Sequence, residues 1–323
     1  MRASYIWGNL NPLFGFGVQE HEFDQENDCW KFTHGARVIK TKSWIELPSP
    51  LKPPGIQISV VIINWNRPLN VVKSSIESVL KQEFPPENFE VILVDDASEL
   101  SPKPVCLDIL REYPNHNFKA YLLERTRCWG CMHAYNVGLK RAVGWIVMTL
   151  QSEAVLDDEP ERDLNDSYPR QPVLEGVWRH HNARDRLGLI PRRLNMLGEN
   201  KYCGWPYFPH DHGLSVRKSY VQDVRGYPED SVGDPAIDYI SNLTAQFGIK
   251  FAEDLNMQVI HRDCMVPQNL ADLAYKIRST VPGAPPSLSG YLSANRPDWP
   301  GGHWGELTEN EENNAIRSQR YHD

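Results

Sequence analysis

The chain has 323 residues, 41% of them hydrophobic, enough to build one large domain with appendages or two modest domains. Its 42 acidic side chains outnumber 34 Lys and Arg, a net charge of −8 that argues against a general grip on nucleic acid while leaving an anionic small molecule open. No apolar run is long enough to cross a bilayer, so no transmembrane segment is expected.

The N-terminal stretch through Phe23 lacks the compact apolar core and cleavage site of a signal peptide. The six cysteines form no secreted-style framework, which predicts reduced thiols and a cytoplasmic location. Cys128 and Cys131 make a CxxC with His133 close by, but Cys203 and Cys264 lack the spacing of a second zinc-binding pair, so no zinc site is expected.

Residues 1–55 are rich in aromatics, Gly and Asn and close on the proline-dense Leu47–Gly55, which reads as a linker. The pattern then changes. Ile58–Ile63 is a continuous β-branched run, the mark of a strand buried on both faces. Asn66 is placed to cap a helix with Pro68 in its first turn, and Leu69, Val72, Ile76 and Val79 recur along one helical face. Phe84–Asn88 (FPPEN) breaks that helix, and Phe89–Val94 is a second buried strand running into Asp95-Asp96. Strand, helix, strand at this spacing is a βαβ unit with a right-handed crossover. The alternation continues with a helix over 105–112, a strand at Lys119–Leu123, a helix over Met132–Val143 and a fourth strand at Trp145–Leu150.

Further on, Val173–Trp178 reads as a strand, Arg179–Arg193 as a basic stretch, and Gly213–Tyr220 as a short strand entering a turn. Asp238–Phe247 reads as a helix stopped by Gly248, and Met257–Ile260 as a strand ending on His261. The tail after 265 is rich in Pro, Gly and Trp and is expected to wrap the surface or to serve as an arm, with self-association through either extension possible. The sum is an open α/β sheet over 56–264 between an N-terminal extension (1–55) and a C-terminal one (265–323). Ligands of such sheets bind at the carboxyl ends of the strands, which places Trp65, Asp96 and Gln151-Ser152-Glu153 along one edge.

Ser59–Arg67 (SVVIINWNR), Val91–Ser98 (VILVDDAS), Gly130–Glu153 (GCMHAYNVGLKRAVGWIVMTLQSE), Gly226–Asp238 (GYPEDSVGDPAID) and Val259–Asp263 (VIHRD) follow one another in a recognisable order. In order and spacing they resemble the GT-A glycosyltransferases, most closely the inverting family 2 type, over roughly 56–263. The most specific piece is G-x-x-x-A-x-N-x-G at Gly130, Ala134, Asn136 and Gly138.

The resemblance implies a Rossmann-like GT-A fold, an open, mixed, mostly parallel sheet flanked by helices. It also implies a UDP-, GDP- or dTDP-sugar donor, a carbohydrate or other hydroxyl acceptor, and a divalent cation, Mn2+ or Mg2+. By it, Asp96 accepts a hydrogen bond from the base, Trp65 lies against that base, Arg67 stands near phosphate, and Ile63, Gly130, His133, Asn136, Gln151 and Ser152 complete the donor pocket. Asp95 and Asp96 also suit a turn cap, Gly130 and Asn136 a turn and helix start, and Lys140 and Arg141 either a diphosphate or solvent.

The family's Asp-x-Asp, whose last carboxylate holds the cation, is replaced by Gln151-Ser152-Glu153. Glutamate keeps the charge with one methylene more reach, while glutamine keeps a donor and an acceptor but no charge. The cation is therefore expected on Glu153, with His261 as second ligand and Asp263 a poorer alternative. The base that takes the acceptor proton is expected at Asp234, with Asp238 next and Glu229-Asp230 in the preceding turn, although Asp at a helix start is also a routine N-cap. Trp205, Tyr207, His210 and His212 are acceptor-site candidates that equally suit packing.

A second reading is a GT-A-shaped binding protein that lost catalysis through Gln151. A third, a nucleotidyltransferase, would open with a Gly-rich basic phosphate loop, which Ile63–Asn70 (INWNRPLN) is not.

Overall fold

A strand covered on both faces needs no polar side, and the apolar runs become the middle of the sheet. The computed structural model describes residues 2–5, 19–24, 29–32, 37–40, 47, 51–125, 131–157, 172–198, 201–204, 212–227, 229, 243–244, 246–262 and 304–318. Four strands precede the predicted ones: β1 (Arg2–Tyr5), β2 (Gln19–Asp24), β3 (Cys29–Phe32) and β4 (Arg37–Lys40), each antiparallel to the next. The βαβ unit is β5 (Ile58–Asn64), α1 (Leu69–Leu80) and β6 (Phe89–Asp95), both strands buried throughout. Next come α2 (Lys103–Glu112), β7 (Asn117–Leu122), α3 (Met132–Arg141), β8 (Ile146–Gln151) and β9 (Ala154–Asp157). Then follow α4 (Val173–Ala183), β10 (Leu187–Gly198), β11 (Lys201–Gly204), β12 (Ser215–Arg217), α5 (Lys218–Val224) and β13 (Lys250–Arg262). The last described elements are α6 (Glu309–Asn313) and β14 (Ile316–Arg317).

One sheet of 14 strands runs β1-β2-β3-β4-β13-β10-β12-β8-β5-β6-β7-β14, with β11 beside β10 and β9 beside β13. The four strands β8, β5, β6 and β7 are parallel. β12 is antiparallel to both β8 and β10, and β10 is parallel to β13. Two reversals restore direction, so β13 points the same way as β5, β6 and β8 and its carboxyl end reaches the same rim. α1, α2 and α4 bury Val72, Ile76, Val105, Ile109, Val177 and Trp178 on one face of the sheet. α3 and α5 bury Tyr135, Val137, Leu139, Val221 and Val224 on the other.

Several local expectations change. Val173–Trp178 is the first half of a helix, not a strand; every one of these residues is buried, which erases the helical period. The basic stretch hides the twelve-residue β10. The strand ending on His261 begins at Lys250, and the segment after Arg217 is helical rather than a turn. Asn66 does not cap α1, whose N-cap is Pro68. Asn66 instead has a left-handed backbone (φ 51) and accepts from the Glu99 N–H at 2.7 Å. Gly248 has φ +63 and donates to the Thr244 carbonyl, ending the preceding turn as expected. The proline-dense segment is fastened to the sheet: Gln57 and Asn88 donate to the Gly55 carbonyl at 3.0 and 2.8 Å, and Lys52 meets Glu175 at 2.7 Å. No helix among the described residues is long and apolar enough to cross a membrane.

Candidate active site

Register puts the strand ends level. Asn64 pairs with Asp95 across β5 and β6, and Ile63 with Gln151 across β5 and β8. A buried polar network locks these ends together. The Asn64 amide donates to Asp95 at 2.6 Å and accepts from the Ser152 hydroxyl at 2.8 Å. Ser98 donates its hydroxyl to Asp95 at 2.6 Å and accepts from the Asn66 N–H at 2.8 Å. Burial pushes the Asp95 carboxyl above its ordinary range, against the pull of Ser98 and Asn64. Ile63 and Ser152 are therefore walls and ties of the rim, with Ser152 fully buried. Asp96, also buried, is held through its N–H on the Asn64 carbonyl at 2.8 Å, while Trp65 and Gln151 are half-buried beside it.

Glu153 sits in the tight turn between β8 and β9. β9 returns antiparallel along β13 with Ala154 opposite His261, and the Arg262 N–H donates to the Glu153 carbonyl at 3.0 Å. This hairpin-like return brings the carboxylate to the β13 end. Glu153 Oε1 meets Arg67 Nη2 at 2.7 Å and His261 Nε2 at 3.8 Å. Burial pulls the Glu153 pKa up, but the His261 contact and the Arg67 charge outweigh it, and the carboxyl stays below its usual value.

His212 joins them. Its ring centroid lies 4.9 Å from that of His261, and ligating atoms of Glu153, His212 and His261 all fall within 4.8 Å of one another. The strand pairing explains the placement. β12 runs antiparallel to β8, so the residues just before it return to the carboxyl end of β8, where Gly213 donates to the Thr149 carbonyl at 2.7 Å. Gly213 has φ +88 and a Cβ there would stand 2.4 Å from Pro191 Cγ, so glycine is required for this approach. His212 was an acceptor-site candidate by sequence; the tertiary structure puts it with the two predicted cation ligands. The H-x-H of His210 and His212 was the one sequence signal, and spacing alone did not connect it to Glu153. One carboxylate and two imidazoles suit a divalent transition metal. Ligands around such an ion stand at most roughly 4.4 Å apart, a separation that small side-chain rotations reach from this arrangement.

His133 and Asn136 face the other side of the rim. Asn136 donates to the Tyr227 carbonyl at 2.7 Å and to Glu229 Oε1 at 2.9 Å, and accepts from the Tyr227 N–H at 2.7 Å. His133 Nδ1 lies 3.1 Å from Glu229 Oε2. Both residues expected around the donor thus hold Tyr227 and Glu229. Lys140 and Arg141, both partly exposed, bind the chain at 304–312. Gly130, Trp205, Tyr207, His210, Asp230, Asp234, Asp238 and Asp263, and the Cys128 of the CxxC, lie outside the described residues.

Residues 59–162 match the family model described as glycosyl transferase family 2. The chain is 28% identical over 133 residues to the poly-beta-1,6-N-acetyl-D-glucosamine synthase of Staphylococcus epidermidis, covering 41% of this chain and 30% of that protein. It is 32% identical over 109 residues to the poly(ribitol-phosphate) beta-N-acetylglucosaminyltransferase TarS of Staphylococcus aureus, covering 33% of this chain and 18% of that one. The chain thus spans under a third of the length of these curated relatives. Among solved structures, a mannosyltransferase of Pyrobaculum calidifontis superposes with a TM-score of 0.50 at 17% identity, over 78% of this chain and 73% of that one. From Ser59 to Arg162 the chain is therefore similar to family 2 glycosyl transferases, and its fold is of the GT-A type.

Proposed function

We propose that the chain is an inverting glycosyltransferase that moves a sugar from a nucleotide-sugar donor to a hydroxyl acceptor with a divalent cation at the donor diphosphate. The reading is carried by the meeting of Glu153, His212 and His261 on the rim that also holds Trp65 and Asp96. The relatives named above are sugar transferases and a polysaccharide synthase, and the Pyrobaculum enzyme was solved with GDP-Man and Mn2+.

Trp65 offers a half-buried aromatic face for the base, and Asp96 a carboxylate to accept its N–H. Glu153 and the two histidines would hold the cation, which when bound would supply Lewis-acid stabilisation of the departing nucleoside diphosphate. Two imidazoles beside one carboxylate favour Mn2+ over Mg2+, because Mg2+ prefers an all-oxygen shell. The Arg67 guanidinium, beside Glu153, adds positive charge for the diphosphate. Asp234, with Asp238 as the alternative, accepts the acceptor's proton as its oxygen attacks the anomeric carbon. The bond to the departing nucleoside diphosphate breaks on the opposite face and the diphosphate keeps the electron pair.

The test is a calorimetric titration of UDP-, GDP-, CDP- and dTDP-sugars with Mn2+, followed by assay of nucleoside diphosphate release. One donor should bind in a Mn2+-dependent way and turn over, and Asp234→Asn should abolish turnover while keeping donor affinity. No Mn2+-dependent binding by any donor rejects the reading. Gln151, uncharged where the family carries an aspartate, favours a second reading as a nucleotide-sugar or glycan binding protein. Donor binding without release under any metal or acceptor supports that one instead.

A further inference from the structure

We propose that the C-terminal segment 304–318 is a strap that positions the start of the acidic stretch Gly226–Asp238, acting through Glu229; this rests on the proposed assignment of the base to that stretch. Glu229 lies five residues before Asp234 in the chain. Its carboxylate is held from three directions. Asn136 donates to it at 2.9 Å, His133 Nδ1 lies 3.1 Å away, and the Gly305 backbone N–H donates at 3.0 Å from 76 residues further along the chain.

The strap is pressed flat on α3. Gly305 has φ +62, and a Cβ on it would stand 2.4 Å from the Asn136 carbonyl oxygen and 2.6 Å from its carbonyl carbon. Both are backbone atoms, so no rotation of a neighbour relieves the clash. Arg141 donates to the Gly305 carbonyl at 2.7 Å, and Lys140 donates to the Trp304 carbonyl at 3.2 Å with its Nζ 5.7 Å from that indole's centre. The far end is anchored independently. β14 pairs antiparallel with β7, and the buried Glu311 accepts from the Glu124 N–H at 2.9 Å.

Gly226 closes the device. It has φ +71, and a Cβ there would stand 2.1 Å from Asn136 Oδ1, so turn, helix and strap meet without slack. Covering the β7 edge requires only α6 and β14. It does not require the strap to run on to Gly305 and place a backbone N–H on the carboxylate of Glu229, which stands one residue before Asp230 and five before Asp234 in the chain. Nor is Glu229 suited to be the base itself. Although burial raises its pKa, contact with His133 and Asn136 holds the carboxyl below its usual range, and it is engaged by the Asn136 amide, the Gly305 N–H and the His133 imidazole.

The experiment compares Gly305→Ala, Glu229→Ala, their double variant and Glu229→Gln in the full chain. Loss of positioning should lower kcat by about tenfold or more while the donor Kd with Mn2+ stays within about twofold. The double variant should be no slower than the worse single variant, because both act on one contact. Glu229→Gln, which keeps an oxygen for Gly305 and Asn136, should restore most of the rate. Additive losses, or a fall in kcat matched by loss of donor affinity, would overturn the proposal. Amide hydrogen exchange supplies a readout that needs no turnover. In Gly305→Ala, protection should fall at 226–238 while β5 and β6 keep theirs. Unchanged exchange there rejects the strap even if transfer is observed, and a fall there with no transfer by any donor rejects only the glycosyltransferase reading.

Discussion

Asn136 and Gly138 belong to one sequence signature but do separate work. Asn136 spends its amide on Tyr227 and Glu229, whereas Gly138 lets α3 lie against β5: a Cβ there would stand 2.2 Å from Val61 Cγ1. Gly138→Ala should therefore destabilise the fold by about 1–3 kcal/mol through overpacking, read from urea unfolding midpoints. The histidine at 212 separates two roles cleanly. If it holds a cation with Glu153 and His261, His212→Ala should weaken Mn2+ binding by at least about tenfold with no acceptor present, measured by Mn2+ paramagnetic resonance. An acceptor-only role leaves that titration unchanged. Glu153→Ala should remove Mn2+-dependent donor binding, and equal donor affinity in the variant would remove Glu153 from the site. Asp96, Glu153 and His261 were legible in the sequence because strands deliver their last residues to a rim. His212 was not, because only the antiparallel return of β12 brings it there.

At the scale of elements, α4 was among those misread, and its burial is also its liability. His180 Nε2 contacts Asp254 Oδ2 at 2.8 Å and His181 Nε2 contacts the Ser215 hydroxyl at 3.0 Å, with all four side chains buried. Burial, reinforced by the charges of His180 and Arg217, pushes the His181 pKa down from 6.5 to about 3. The folded state therefore keeps His181 neutral while the unfolded chain takes up a proton below pH 6.5. The stability this neutral state confers is intact above that pH and is lost as pH falls toward 3. The loss should run at about 1.4 kcal/mol per pH unit. Unfolding midpoints at pH 7.5 and 5.5 should show the drop, and His181→Gln should flatten that slope without abolishing it.

The described strands form one sheet in which a parallel half carries Asp96 to the rim and a mixed half brings His212 and His261 to Glu153. β4 pairs with β13 only at Phe251–Glu253, far along the strand from His261. Removing residues 1–40 should thus lower the thermal midpoint by exposing that edge, yet leave nucleotide affinity unchanged in calorimetry. A large loss of affinity would show that the N-terminal strands reach the rim. At the other edge of the described sheet β14 covers β7, which ties residues 304–318 to the fold.

The sequence by itself determined the βαβ core and the residues at its strand ends, because a doubly buried strand is a continuous apolar run and the chain leaves it at one rim. It also marked the acid-for-acid exchange at Glu153, since charge and reach are properties of the side chain alone. Only the tertiary structure decided which distant groups stand beside that acid. His212, Arg67 and His261 meet Glu153 across 59, 86 and 108 residues, and Gly305 meets Glu229 across 76, through the way separate elements are directed and docked. No local periodicity encodes such pairings, because they arise from where separate elements dock.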